Sequence, residues 1–144
     1  MDKLPGTGKT PSTFLWERVI NGPVRSRRLG MSLGLNIIPS HSKLCTFNCP
    51  YCECGFNTEK AEGEKWPSPD VVADAFSKTI TLGGVRPDWV TFPGNGEPTM
   101  HPRFAVVVDR VLAVRDAVAP GVRVGVLSTG LAAGKPVIRE ALNR

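Results

Sequence analysis

Apolar residues along this chain change period several times, and each change predicts an element. Leu33-Gly34-Leu35-Asn36-Ile37-Ile38 is a short apolar run with β-branched members, stopped by Pro39, which predicts a buried first strand. From Ser68 the period becomes helical. Val72, Phe76 and Ile80 recur every four residues, and Ala75 adds a neighbour to the same apolar face. Ser68 supplies an N-cap, Pro69 the first helical position, and Gly83-Gly84 the stop. Asp88-Trp89-Val90-Thr91-Phe92 reads as a second strand, ended by Pro93-Gly94. A second helix from about Pro102 to Val118 buries Phe104, Val107, Val108, Val111 and Leu112. Pro120-Gly121 breaks it, and Val122 to Leu127 forms a third strand.

Strands that alternate with helices predict an α/β fold of about three βα units, with a parallel sheet and right-handed crossovers. A chain of 144 residues is one domain's worth, long enough for a real core. Residues 1–13 read as a flexible tail, and Glu59 to Lys65 as a charged loop. No apolar run approaches the ~20 residues that span a bilayer, so no membrane association is expected. The start, Met1-Asp2-Lys3-Leu4-Pro5, has no apolar leader segment. Clustered cysteines without a targeting segment predict a reducing, cytoplasmic setting.

The net charge of +5 is not spread evenly. Residues 1–44 carry seven Lys/Arg against Asp2 and Glu17, and the remainder balances at eleven of each sign. Arg25, Arg27 and Arg28 stand in this basic part. They could clamp a phosphate or an RNA backbone, but no interleaved aromatics accompany them, and a solvated surface loop is the favoured reading. Gly6-Thr7-Gly8-Lys9-Thr10 echoes the end of a phosphate-binding loop. The full pattern needs glycine where Lys3 stands, and there is no room ahead for the strand that delivers such a loop.

The chemistry concentrates in Cys45-Thr46-Phe47-Asn48-Cys49-Pro50-Tyr51-Cys52, three thiols at C-x3-C-x2-C spacing. Three thiolates so close can hold three corners of one iron–sulfur cube, which normally takes four ligands. The fourth iron is left open, and an open coordination site is where chemistry happens. A zinc site drawing also on Cys54 is the competing use, yet structural zinc ligands usually come as two separated pairs. Cys54 therefore reads as a bystander, or as a thiol standing just behind the ligands, rather than as a ligand.

Gly94-Asn95-Gly96-Glu97-Pro98 forms a second candidate. Its glycines let backbone approach a ligand closely. Pro98 biases Glu97 toward an extended conformation that leaves its carboxylate available to a cation. With the cysteine loop after strand one, this loop after strand two and Ser128-Thr129-Gly130 after strand three, all three lie at the C-terminal end of the predicted sheet. That is where βα-barrel active sites are built.

Cys45, Cys49 and Cys52 followed by Gly94-Asn95-Gly96-Glu97-Pro98-Thr99 resemble the cysteine and "GGE" motifs of the radical S-adenosylmethionine (radical SAM) enzymes. Phe14 onward is similar to their branch of Fe–S oxidoreductases related to wybutosine-synthesis and molybdenum-cofactor enzymes. The resemblance implies a partial (βα) radical SAM barrel over residues 14–144. It implies a [4Fe–4S] cluster on Cys45, Cys49 and Cys52, with SAM on the open iron. Tyr51 would lie beside the adenine, Gly94, Gly96 and Glu97 would serve the methionine end, and Ser128 would line the SAM pocket. The implied activity is reductive cleavage of SAM to a 5′-deoxyadenosyl radical that abstracts hydrogen from a small molecule, RNA or protein. An external donor such as flavodoxin or ferredoxin would supply the electron. A non-catalytic Fe–S electron-transfer module is the alternative, and a zinc-stabilised nucleic-acid-binding module a third reading. Thr129-Gly130 stands where relatives of this branch carry Asn-Gly. Such domains usually build about six βα units of roughly 30 residues, so the expectation is the front half of a barrel, with an open edge through which the chain self-associates.

Overall fold

The structure is a computed structural model that describes residues 14–57 and 65–144. The expected tail, the phosphate-loop echo and most of the charged loop lie outside the described residues. The chain is α/β. Four strands, β1 (Ile20–Ser26), β2 (Gly30–Leu35), β3 (Trp89–Phe92) and β4 (Arg123–Val126), lie in that order in one sheet. β1 pairs antiparallel with β2, while β2, β3 and β4 are parallel. Helix α1 (Pro69–Thr81) connects β2 to β3, α2 (Phe104–Val118) connects β3 to β4, and α3 (Pro136–Leu142) follows β4.

Helix α1 forms as its pattern predicts. The Ser68 hydroxyl accepts from Val71 N at 3.2 Å, and Pro69 opens the first turn. Val72, Phe76 and Ile80 are buried, joined by Ala73 in place of the half-buried Ala75. They meet Phe104, Val107, Val108 and Val111 of α2 over Leu33 and Leu35 of β2 and Val90 and Phe92 of β3. Each fully buried Val, Leu or Phe side chain contributes about 1.5–3 kcal/mol, so Phe76→Ala would detach α1 most effectively.

Register fixes what the other face of the sheet carries. Leu33, Val90 and Val124 align in one row. Side chains alternate along a strand, so the neighbouring rows Ser32–Trp89–Arg123 and Gly34–Thr91–Gly125 point away from the helices. Ser32 and Thr91 approach each other at 3.4 Å through their hydroxyls, and the Arg123 guanidinium lies 4.6 Å above the Trp89 ring. Apart from Trp89, this face is polar and small-residued. β4 does lie at the sheet edge as expected, pairing only with β3 among the described residues.

Two strand expectations need correction. The predicted first strand, Leu33 to Ile38, is β2 moved three residues earlier. Asn36 ends it: its side-chain Oδ1 accepts from Ile38 N at 3.1 Å and replaces ladder pairing with a local turn. The basic segment read as a loop contains β1. A strand with one open edge tolerates Pro23 and exposed arginines, and the register shifts between Asn21 and Val24.

Candidate functional site

Three segments meet at the C-terminal ends of β2, β3 and β4. After β2 the chain reaches Leu44, which forms a parallel bridge to Gly96. Leu44 N donates to Asn95 O and Glu97 N donates to Leu44 O, both at 2.8 Å. The approach is so close that a Cβ on Gly96 would lie 1.7 Å from the Leu44 oxygen, and the Gly96 φ of +143° is itself costly for other residues. The bridge uses the groups flanking Gly96, so its own N–H and C=O turn away from Leu44. Gly94 is tight for a different reason: a Cβ there would meet Asn36 Oδ1 at 2.7 Å.

Asn95 and Asn36 hold this junction from inside. Asn95 is fully buried. Its Oδ1 accepts from Trp16 N at 2.7 Å, while its Nδ2 donates to Trp16 O at 2.9 Å and to Pro39 O at 3.0 Å. Asn36 Oδ1 also accepts from Asn95 N at 3.4 Å. The middle residue of the glycine motif is thus a structural tie for the segment around Trp16. Sequence reasoning missed both roles; an asparagine inside the apolar run Leu33 to Ile38 was the available signal.

The cysteine loop begins immediately after the bridge. Cys45, Cys49 and Cys52 carry free thiols, all half-buried, as does Cys54. Asn57 pins the start of the loop: its Oδ1 accepts from Cys45 N at 2.8 Å, and its Nδ2 donates to Cys45 O at 3.0 Å and Phe47 O at 3.3 Å. Asn57 N in turn donates to Asn48 Oδ1 at 2.7 Å. Cys52 N bonds to Cys49 O at 3.1 Å and Gly55 N to Cys52 O at 3.0 Å, folding the second half into two turns. Lys43, though only 2% exposed, sends its Nζ to Gly55 O at 2.7 Å. The hydroxyl of its neighbour Ser42 is buried with no hydrogen-bond partner among the described residues. None of these asparagine or lysine roles was predicted.

Among the described residues no three His, Cys, Asp or Glu side chains are drawn around a point that would hold one metal ion. A cube spaces its ligands more widely, because each thiolate binds a different iron. Three free thiols on one pinned loop, with soft sulfur as the only donor type, fit such a cluster. Cys54 turns its thiol toward Gly94 O at 3.6 Å, and burial, with the Cys52 side chain beside it, pushes its pKa up to about 11. Tyr51, expected beside an adenine, projects into solvent, and its phenol pKa is raised chiefly by a hydrogen bond with the Cys49 side chain.

Glu97 differs most from its expected setting. Pro98 does hold it extended, at φ −97° and ψ 110°. The carboxylate, however, is turned inward, with the residue only 2% exposed. Oε1 accepts from Thr99 N at 3.1 Å, Thr99 Oγ1 at 2.5 Å and Ser128 Oγ at 2.7 Å. Oε2 accepts from Thr129 N at 2.7 Å. Burial alone would raise its pKa; the donors from Thr99, Thr129 and Ser128 outweigh burial and hold it below the usual carboxylate value. Glu97 therefore joins the loop after β3 to the loop after β4. Thr129 extends the link, its hydroxyl lying 3.3 Å from that of Thr46 beside Cys45. The predicted site residues Gly94, Gly96, Glu97, Ser128 and the three cysteines are gathered at one end of the sheet.

His101 anchors the same loop from below. Its Nε2 donates to Pro67 O at 2.9 Å and its Nδ1 accepts from Arg103 N at 3.0 Å, so the neutral ring is fully satisfied. Burial lowers its pKa; the Pro67 carbonyl opposes this, and the Arg103 charge adds to the lowering.

The chain matches no protein-family profile and no solved structure. Over 124 residues it is 31% identical to a UPF0026 protein of Helicobacter pylori, a stretch covering 86% of this chain and 39% of that protein. Over 81 residues it is 41% identical to a UPF0026 protein of Methanocaldococcus jannaschii, covering 55% of this chain and 25% of that protein. Over 115 residues it is 33% identical to a protein named GTPase Obg from Brachyspira hyodysenteriae, covering 78% of this chain and 16% of that protein. The chain thus spans well under half the length of these curated relatives.

Proposed function

We propose that this chain is the cluster-bearing part of a radical SAM enzyme, with Cys45, Cys49 and Cys52 holding a [4Fe–4S] cluster. The observation that carries the reading is the convergence of the thiol loop, Gly94–Glu97 and Ser128–Thr129 at one end of adjacent parallel strands, bonded to one another there. A cluster held by Cys45, Cys49 and Cys52, reduced by an external donor, would supply the one electron for cleaving SAM to methionine and a 5′-deoxyadenosyl radical.

The chain's own residues perform the rest. The Leu44–Gly96 bridge sets the spacing between the thiol loop and the motif loop. Gly96 offers peptide groups turned away from the bridge, and Glu97 Oε2, with a single donor among the described residues, would keep a lone pair for the methionine amine. Ser128, oriented by Glu97, lines the cofactor side. Tyr51 would fold over the adenine from its exposed position. The polar rows Ser32–Trp89–Arg123 and Gly34–Thr91–Gly125 would face the barrel interior, where a substrate enters. An external electron donor such as flavodoxin or ferredoxin would reduce the cluster.

A cluster-holding electron-transfer module without SAM cleavage is the second reading, favoured by the burial of Glu97 among chain donors. GTP hydrolysis, suggested by the name of the Brachyspira relative, has no support in Lys3-Leu4-Pro5-Gly6-Thr7-Gly8-Lys9, which lacks the first glycine of the phosphate loop. Anaerobic reconstitution with iron and sulfide, followed by EPR of the reduced protein with and without SAM, separates the readings. A cluster whose spectrum changes with SAM is expected. A cluster indifferent to saturating SAM selects electron transfer, and stoichiometric zinc with no iron uptake removes both.

A further inference from the structure

Lys43 is a buried cation in an unusual place. The residue is 2% exposed, yet its Nζ donates to Gly55 O at 2.7 Å, and no ion pair to it occurs among the described residues. That bond closes the loop from Lys43 to Gly55, and Cys45, Cys49 and Cys52 all lie within it. Gly55 is itself bonded through its N–H to Cys52 O at 3.0 Å, so the ammonium is tied to the arm that carries the last thiol. One carbonyl, its single side-chain partner among the described residues, is poor compensation for a desolvated ammonium, and a buried charge ordinarily persists only with a counter-charge. A [4Fe–4S] cube on three thiolates is anionic and gains a further negative charge on reduction. Net charge near a cluster is one of the factors that set its potential.

We propose that Lys43 is a positioning residue that serves as the built-in counter-charge of the cluster, making reduction easier as well as clasping the loop. The proposal rests on the cluster reading above and deepens it. Gln in place of Lys43 removes the charge but keeps an N–H donor for Gly55 O; Met removes both; Arg keeps the charge.

The test loads the wild-type chain, Lys43→Gln, Lys43→Met and Lys43→Arg anaerobically with iron and sulfide. It then compares iron content, apo-protein circular dichroism and the cluster midpoint potential. Both neutral variants should shift the one-electron equilibrium against reduction at least tenfold, a fall of 59 mV, while Arg stays near wild type. Neutral variants that fold but take up no iron, while Arg does, would also support the counter-charge. A wild-type potential in Lys43→Gln with a shifted one in Lys43→Met leaves Lys43 as a mere clasp and overturns the proposal. Should both neutral variants unfold, a tenfold shift in Lys43→Arg overturns it and an unchanged potential supports it. A wild-type chain that takes up no iron sinks the cluster reading itself, whereas loaded variants with unchanged potentials sink only the role of Lys43.

Discussion

Glu97→Gln isolates the inward-facing carboxylate with the smallest change in shape. Gln can present its carbonyl oxygen where Oε1 accepts from Thr99 N, Thr99 Oγ1 and Ser128 Oγ. Its amide nitrogen must then face Thr129 N, which now donates to Oε2 at 2.7 Å. A charge-assisted bond is lost and two donors confront each other, while the three remaining bonds weaken because their acceptor is neutral. Bonds to charged groups contribute about 1.5–3 kcal/mol each, and a stranded donor costs about 1–3 kcal/mol. A net loss of about 2 kcal/mol follows. For a chain of this size each kcal/mol moves Tm by about 3–4 °C, so a drop of about 7 °C is expected at pH 7, read by circular dichroism.

The pH dependence supplies the sharper check. The folded-state pKa of Glu97 is depressed. Its contribution is therefore complete above the unfolded value of about 4.3 and is lost as pH falls through the folded value. The gap between wild type and Glu97→Gln should be constant from pH 7 to pH 5.5 and narrow progressively below pH 5. A gap under about 2 °C at pH 7, or one that stays flat down to pH 3.5, would refute the idea that the charged carboxylate ties the two loops together.

Gly96→Ala should be more severe: the new Cβ cannot coexist with the Leu44 oxygen, so both bridge hydrogen bonds break. Thermal unfolding should show a loss of about 3–5 kcal/mol, and iron uptake should fall with it. His101→Gln should flatten the fall in wild-type stability between pH 7 and pH 5. There the unfolded chain takes up a proton near its ordinary value of about 6.5, while the folded ring, its pKa lowered by burial, does so only at lower pH. Equal slopes in urea titrations of the two proteins would contradict this. Cys54→Ala should keep iron bound per chain near the wild-type level, whereas Ala at Cys45, Cys49 or Cys52 should each abolish the cluster absorbance. Iron loss on changing Cys54 would reverse the ligand assignment.

Sequence pattern carried the helices and the parallel strands because each buries one face, and a buried face writes its period into the chain. Val72, Phe76 and Ile80 are legible for that reason, as are Val90 and Phe92. β1 is not, because an edge strand with Pro23 and three exposed arginines nearby has no buried face to alternate. The gathering of Cys45, Glu97 and Ser128 at one end followed from strand direction alone. Their interactions did not: nothing in Gly94-Asn95-Gly96-Glu97-Pro98 says that Asn95 is occupied by Trp16 and Pro39. Nor does it say that the acid looks inward to Thr99, Ser128 and Thr129. Such contacts depend on partners up to 79 residues away, which only the closed fold brings together.

Strand direction also decides what the basic residues can do for the thiols. Arg25, Arg27 and Arg28 surround the β1–β2 turn, where β2 begins at Gly30, whereas the cysteine loop follows the far end of β2. Six residues at ~3.3 Å each put roughly 20 Å between the two ends, about two screening lengths at physiological salt. Asp88, whose Oδ2 accepts from Met31 N at 2.7 Å, adds a negative charge to the arginine end. These three arginines are therefore too far away to tune charge at Cys45, Cys49 and Cys52, whereas Lys43, from the same basic part of the chain, is bonded to the thiol loop itself. An arginine contact and a thiol-loop contact could belong to the same partner only if that partner were a macromolecule long enough to run the length of the sheet.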